Sequence, residues 1–572
     1  MKTTDIRISG AAALLQALSD HKIDHVFSNA GTDFAPIIEA IVAMNNDGVS
    51  CPHFVTVPHE TVAVSMAHGH CIQSGKTSAA MVHTTVGTAN AAMGVINAAR
   101  DNIPLLLLAG RTPVSQTGQD ASRTGHIHWG QESFDQGGMI REYTKWDYEC
   151  RHGQPIAEVI NRAVRIANTA PCGPVYVVLP REILAEPAIK STFPPLLTSP
   201  RPPCANPDDI REVLELIQRA NRPVIATSFA GRNVEAGKQL AVFAKHYAIP
   251  VVQPFARYVN LPSTHDMHVG YDSKPWIEQA DLVLVVDCDV PFIPKFVATN
   301  PDTKIVHISA DPAFSRIPFR SFPSSIDIAG DTEQIFVALN SAAQTAELDT
   351  ISIERRRKDV AKFRKDKEIE RNEVIHKYRD NKLIAPSWLA HCLTKAMPDN
   401  SIVVNELGVP LDFLSFSNFG SLIGTGVAGG LGQALGAALG VKLANRENTV
   451  ISVIGNGSYI FGAPTAYHHV ADVENLPILT IIQNNSRWQS VDESTRAVYP
   501  DGHAAASAIM PLVGLDPSPD FSLIAKASNS WAETVTHSSE LPDALSEALN
   551  VVRSGRQALL NVITGIAGPR QA

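Results

Sequence analysis

Charged side chains are scarce in this sequence: Asp, Glu, Lys and Arg make up 18% of 572 residues, and aromatics 6%. Acidic residues (57) outnumber Lys and Arg (48), giving a net charge of −9. That balance removes the electrostatic case for nucleic acid or an anionic membrane surface as a partner. No apolar run reaches the roughly 18–20 residues that cross a bilayer. The opening Met1–Asp5 lacks the apolar segment of a signal peptide, and the closing Pro569–Ala572 is not a peroxisomal address. The seven cysteines (51, 71, 150, 172, 204, 288 and 392) are odd in number and never take CxxC spacing. Zinc and a disulfide framework are therefore not expected, and reduced thiols in a cytoplasmic protein are. What is abundant is apolar: 44% of the chain is hydrophobic. A chain of this length exceeds the ~250 residues one core usually serves, so several domains are expected.

Three α/β blocks can be read. In the first, short apolar runs (His25–Ala30, Thr77–Thr84, Ile103–Gly110, Pro174–Pro180) alternate with Ala-rich amphipathic stretches. That alternation predicts parallel strands joined by crossover helices. A proline-rich connector follows, roughly Glu186 to Pro207, too broken for a helix or a central strand. The pattern resumes with Pro223–Ser228, Ile249–Pro254, Asp281–Asp287 and Thr303–Ser309. A charged run from Glu354 to Lys382, including Arg355–Lys358, reads as a solvated linking helix. The third block carries Ser401–Leu407, Thr449–Ile454, Pro477–Gln483 and Ala558–Thr564, with Gly429–Ala444 as a small-residue helical segment. The expected class is α/β with three doubly wound parallel-sheet domains, at residues 1–185, 205–345 and 385–572, and a linker at 346–384.

Two chemical signals lie almost four hundred residues apart. Glu60 follows a short extended run from His53 and opens a small-residue helix. Downstream, Gly455-Asn456-Gly457 ends an apolar strand and Asn484-Asn485 ends the next. The glycines permit a tight turn and close backbone approach to a ligand. Ser458 can cap the segment that follows while contacting an anion. Ligands of open α/β sheets collect at the carboxyl ends of strands, and side-chain oxygens converging there with phosphate oxygens suit Mg²⁺.

These motifs resemble those of the thiamine diphosphate enzymes of the acetolactate synthase, benzoylformate decarboxylase and pyruvate decarboxylase group, over nearly the full chain. The resemblance implies three domains: pyrimidine-binding, central without its own cofactor, and diphosphate-binding. Its diphosphate motif is Gly-Asp-Gly, about 26 residues, then Asn-Asn. It implies Mg²⁺ held by Asn456, Asn485 and the carbonyl of Arg487, with Gly455, Gly457, Ser458 and Asn484 around the diphosphate. Gly429-Gly430-Leu431-Gly432 matches the pyrimidine-supporting segment: the Gly429 carbonyl would accept from the 4′-amino group, and Leu431 would wedge between the rings. Glu60 matches the glutamate that sits against pyrimidine N1′ from a neighbouring subunit. A homodimer or homotetramer with its active site at the subunit interface is therefore implied.

Phe27–Pro36 resembles the first strand-to-helix turn, placing Thr32 and Asp33 among substrate-contacting groups. His83, in His-Thr-Thr-Val-Gly-Thr-Ala-Asn90, matches a proton-shuttling histidine, and Gln131 an active-site glutamine. The implied substrate is a 2-oxo acid or related carbonyl compound, and the implied reaction decarboxylation with carboligation. A non-decarboxylating lyase or hydrolase of diketones or acyloins is the alternative, as is a degenerate binding protein.

Departures from the pattern matter as much. Asn456 stands where the family has aspartate, removing a negative charge beside the metal. Weak Mg²⁺ binding, a silent site, and deamidation at Asn456-Gly457 are all open at this point. The flavin-binding Arg-Phe-Asp-Asp-Arg segment is missing, so FAD is not expected. The central stretch Asp287–Lys295 offers Asp289 or Lys295 near substrate in place of a histidine. Val491 stands where pyruvate decarboxylases carry a catalytic glutamate.

Overall fold

The computed structural model describes residues 9–191 and 198–565. Both chain ends read above, and part of the proline-rich connector, lie outside the described residues. Three all-parallel sheets account for the chain. The first holds β1 (His25–Asn29), β2 (His53–Thr56), β3 (Ser78–Val82), β4 (Leu105–Arg111), β5 (Trp146–Glu149) and β6 (Val175–Pro180). Its order is β2-β1-β3-β4-β6-β5. The second holds β7 (Pro223–Thr227), β8 (Val251–Val252), β9 (Leu282–Val286), β10 (Lys304–Ser309) and β11 (Ile326–Ala329), ordered β11-β10-β9-β7-β8. The third holds β12 (Ser401–Glu406), β13 (Leu422–Gly424), β14 (Thr449–Gly455), β15 (Ile478–Asn484), β16 (Trp531–Val535) and β17 (Ala558–Ile563). Its order, β13-β12-β14-β15-β17-β16, repeats the wiring of the first sheet.

The central strands β3, β7 and β15 are buried along their whole length. Helices cover both faces of each sheet, which is why these strands read as continuous apolar runs and not as alternating ones. Edge strands differ: β5 (Trp-Asp-Tyr-Glu) and β16 (Trp-Ala-Glu-Thr-Val) are half-exposed and mixed in polarity.

In each terminal sheet the strand order reverses after its first two strands, and the last two strands exchange places at the far edge. The reversal falls between β1 and β3 in the first sheet and between β12 and β14 in the third. Crevices open at such points, beyond the strands' carboxyl ends. The central sheet reverses between β7 and β9, but side chains fill the space beyond. Arg257 reaches Asp289 at 3.0 Å and stacks on Phe229, and Arg320 donates to the Asp289 carbonyl and stacks on Phe314. The Thr350–Arg379 helix, capped by Asp349, is the expected charged linker. Its Arg356 and Arg364 donate to main-chain carbonyls of the central domain, at Tyr247, Ala220, His265 and His268. No helix among the described residues is long and apolar enough to cross a membrane.

The first and third domains meet through the Glu60–Ser74 and Gln433–Ala444 helices. Backbone approaches backbone there because the contact positions carry no side chain. A β-carbon on Gly440 would stand 1.9 Å from the Met66 carbonyl oxygen, and one on Gly69 2.1 Å from that of Ala437. On Gly436 it would lie 2.7 Å from the Val62 carbonyl oxygen. The Gly440→Ala variant should therefore force the helices apart, at a cost of about 1–3 kcal/mol. Urea unfolding should show a lower midpoint at unchanged m-value; an unchanged midpoint would mean the contact tolerates a methyl group.

Candidate active site

The crevice between β1 and β3 gathers the first domain's polar groups. Glu60 begins its helix directly after the cap residue His59 and is buried, 8% exposed. Its Oε1 accepts from Asn29 Nδ2 at 3.0 Å and its Oε2 from Asn90 Nδ2 at 2.5 Å. The two asparagines come from the end of β1 and from the Thr84–Arg100 helix, so the carboxyl is held from both sides. Gly87 packs against it, with room for a β-carbon only 3.3 Å from Oε1.

Beside it lies a buried pair, the His83 imidazole on the Asp33 carboxylate. The hydrogen bond from Asp33 raises the His83 pKa above its ordinary value against the opposing effect of burial; the Gln131 side chain and Glu60 add to the rise. Two glycines make room for the pair. A β-carbon on Gly31 would overlap the His83 ring, and one on Gly110 would overlap the Asp33 carboxylate. Thr32 is adjacent, with its Oγ1 3.4 Å from His128 Nε2. Thus Thr32, Asp33, His83 and Gln131 come together near Glu60.

In the third domain the crevice lies between β12 and β14. Glu406, the last residue of β12, is buried, and both its oxygens are engaged. Oε1 accepts from Gly432 N at 2.6 Å and Oε2 from Ala434 N at 2.7 Å. Ser458 also hydrogen-bonds to Glu406. Burial raises the Glu406 pKa, and these hydrogen bonds act to lower it. This one carboxyl ties the Gly429–Gly432 turn to the Gly455–Ser458 turn. Gly429 and Gly432 take positive φ (67° and 79°), which only glycine adopts freely. Leu431 is half-buried between them. Asn97 Oδ1 accepts from Gly430 N at 3.1 Å, and its Nδ2 donates to Gly430 O at 3.0 Å.

The Asn456 side chain is buried at the end of β14, its Oδ1 accepting from Asn485 N at 3.4 Å. Asn485 Oδ1 in turn accepts from Arg487 N at 3.2 Å. Asn484 is occupied in shaping the loop: its Nδ2 donates to Ser518 Oγ and Asn561 Oδ1, both at 3.0 Å, and its Oδ1 accepts from Ser486 N. The Trp488 indole covers Gly457, where a β-carbon would come within 2.3 Å of the ring.

Other expectations fall differently. Asp289 is ion-paired to Arg257, and Lys295 stands exposed over Phe296. Val491 is 44% exposed on the Gln489–Val498 helix, where the buried Asp492 pairs with Arg496. Sequence reasoning missed Asn29, Asn90, Glu406 and Trp488. The one available signal was Glu406, a carboxylate at the end of the mainly apolar Ser401–Leu407 run.

Three family descriptions match the chain. They are the thiamine pyrophosphate enzyme N-terminal TPP binding domain over residues 8–139, the central domain over 210–339, and the C-terminal TPP binding domain over 409–562. The chain belongs to the thiamine pyrophosphate enzyme family. Its sequence is 26% identical to the acetolactate synthase isozyme 3 large subunit of Escherichia coli K12, over 97% of this chain and 94% of that one. It is 24% identical to the acetolactate synthase large subunit of Buchnera aphidicola, with the same coverages. The 4-hydroxybenzoylformate decarboxylase of Rhodococcus jostii RHA1 shares the fold, with a TM-score of 0.77 at 20% identity over 98% of this chain and 99% of that one.

Does the site fit the cofactor? Asn456 Nδ2 is a buried donor without a hydrogen-bond partner, at the strand end where a family member holds the diphosphate. The residues fit that anion. They fit the metal less well, because an amide stands at 456, where the resemblance expects a carboxylate, and its one oxygen faces Asn485 N.

The Asp33–His83 pair makes a pH prediction. His83 has its pKa raised in the folded state, so the pair stabilises the fold fully below the unfolded value of about 6.5. The contribution is lost as pH rises through the raised folded value. Asp33→Asn should return the His83 pKa to or below the ordinary value, as followed by NMR titration of the imidazole. An unmoved titration would remove Asp33 as the cause.

Proposed function

We propose that this protein cleaves and forms carbon–carbon bonds next to a carbonyl, decarboxylating a 2-oxo acid and ligating the remaining fragment to a second carbonyl. The observation that carries this is the buried Glu60 carboxyl, fixed by two asparagine amides beside the Asp33–His83 pair. When bound, thiamine diphosphate supplies a nucleophilic thiazolium carbon and an electron sink for the carbanion left by loss of CO₂.

The chain's own residues handle protons and position. Glu60, its oxygens positioned by the Asn29 and Asn90 amides, would share a proton with the pyrimidine ring of the bound cofactor. The Gly429 carbonyl, in a turn that Glu406 and Asn97 hold, would accept from its amino group. His83, kept protonated further into neutral pH by Asp33, delivers a proton to the substrate-derived oxygen or carbon, with Thr32 and Gln131 beside it. Trp488 shuts water away from the Gly457 turn. The central crevice, filled by Arg257 and Arg320, supports a central domain without FAD.

Glu60 and the Gly429–Gly432 turn of one chain do not share a site. Glu60 lies against Gly87 and the turn against Asn97, ten residues along one helix, or about 15 Å apart along its axis. The distance supports a homodimer in which each site joins Glu60 of one copy to the turn of the other.

Glu60→Gln should lower CO₂ release from a responsive 2-oxo acid by about 10²–10⁴-fold, the usual worth of a positioned proton-transfer group. Thiamine diphosphate binding should stay within about threefold. Aldehyde or diketone cleavage without CO₂ would favour the non-decarboxylating reading, and no turnover on any carbonyl substrate the silent one. Co-expression offers a separate check on the dimer. Glu60→Gln chains mixed with Gly432→Val chains, whose added side chain would strike Gly462, should regain part of the activity that neither has alone. No recovery would argue that both halves come from one chain.

A further inference from the structure

Asn456, which stands where the resemblance expects aspartate, has an unspent hydrogen bond. Asn456 Oδ1 accepts from Asn485 N at 3.4 Å, while Nδ2 is buried with no partner. This orientation is imposed and not arbitrary. Turning the amide over would set Nδ2, a donor, against the N–H of Asn485, another donor. The amide therefore presents N–H, and not oxygen, on its free side. An aspartate would place a second, negatively charged oxygen there, which is the group a divalent cation needs. An amide nitrogen cannot ligate Mg²⁺, but it can donate to a phosphate oxygen, and hydrogen bonds to charged acceptors are the stronger kind. Asn485 Oδ1 accepts from Arg487 N at 3.2 Å, so it supplies a cation with at most one neutral oxygen and no charge. Arg487 offers a cation in the same loop; its guanidinium is held only by a 3.5 Å contact to Asp492, which Arg496 already occupies at 3.1 Å.

We propose that this chain anchors the diphosphate of thiamine diphosphate directly, through the Asn456 side-chain N–H, and binds the cofactor with little dependence on Mg²⁺. The proposal rests on the thiamine diphosphate reading above. It also sets aside deamidation at Asn456-Gly457, because Asn456 is 3% exposed, lies in the first turn of a helix and has Trp488 packed over the following glycine.

The test is calorimetric titration of cofactor-free protein with thiamine diphosphate, in chelator and again in excess Mg²⁺. Wild type should give dissociation constants within about threefold of each other. Asn456→Ala should weaken binding by about tenfold or more in both conditions. Asn456→Asp should bind poorly in chelator, where its carboxylate faces the diphosphate, and recover at least tenfold on adding Mg²⁺. Thermal melts of each ligand-free variant identify any that has not folded, and the wild-type comparison stands without them. Wild-type binding that strengthens tenfold or more with Mg²⁺ would overturn the proposal and leave the cofactor reading intact. No binding in either condition would overturn both.

Discussion

Everything functional in this chain hangs from one close contact, the crossing of the Glu60–Ser74 and Gln433–Ala444 helices over Gly69, Gly436 and Gly440. Each helix starts at a working element: Glu60 is the first residue of one, and the Gly429–Gly432 turn runs into the other. Where the helices cross therefore decides how far apart the two elements lie. Gln433 stands beside His68, eight residues and about 12 Å along the helix axis from Glu60. The same packing that makes the monomer a single body thus keeps its two half-sites apart. The separation of the two elements within one chain is set by that crossing.

Duplicated wiring explains why the halves look alike. Both terminal sheets use the same strand order, so each has a crevice at the corresponding place, between its first and third strands. A carboxyl is buried at each, and each is compensated through both oxygens: Glu60 by two asparagine side chains, Glu406 by two backbone N–H groups. A buried carboxyl left without a partner would cost several kcal/mol, so the clamps are part of why these groups can sit there at all. The crevices differ in what the carboxyl does next. Glu406 has no face left over, being spent on two turns and Ser458, whereas Glu60 lies near the His83–Asp33 pair. The central sheet has the same kind of reversal but closes it with Arg257 and Arg320, and Arg257 extends outward to Asp101 at 3.0 Å. That domain braces the other two: Gly424 N, in β13, donates to the Arg257 carbonyl at 2.7 Å, directly ahead of the Gly429–Gly432 turn.

Much of this was legible in the sequence, and the boundary of legibility is physical. Strands buried on both faces announce themselves as apolar runs; Thr449–Ile454 and Ser401–Leu407 were placed to within one residue of β14 and β12. The edge strands β5, β11, β13 and β16 were not read. With one side toward solvent and only three to five residues each, they show neither a continuous run nor a full alternation. Gly429–Ala444 was read as one helical segment, but its first four residues form the turn, held by positive φ at Gly429 and Gly432. Within the site, motif residues were found because spacing marks them. Their clamps were not, because Asn29, Asn90 and Asn97 are ordinary polar residues whose partners lie 31, 30 and 333 positions away.

The exchange of aspartate for asparagine at 456 is small in volume and large in electrostatics. A metal-binding diphosphate site gathers negative charge on both protein and ligand, then cancels it with the cation. Removing the protein's share lowers the cation's value there, since two unit charges about 4 Å apart interact by ~4 kcal/mol even at an effective dielectric of 20. It also lowers the need for the cation, because the ligand no longer faces a carboxylate. An amide that merely weakened a metal site would be expected to turn its oxygen toward the ligand. Here the Asn485 N–H takes that oxygen, and the donor is left facing the vacancy in the hydrogen-bond network. A buried donor without a partner costs about 1–3 kcal/mol, a penalty that an arriving phosphate oxygen would relieve and an arriving cation would worsen. The strain in the free protein and the preference in the bound one have the same origin.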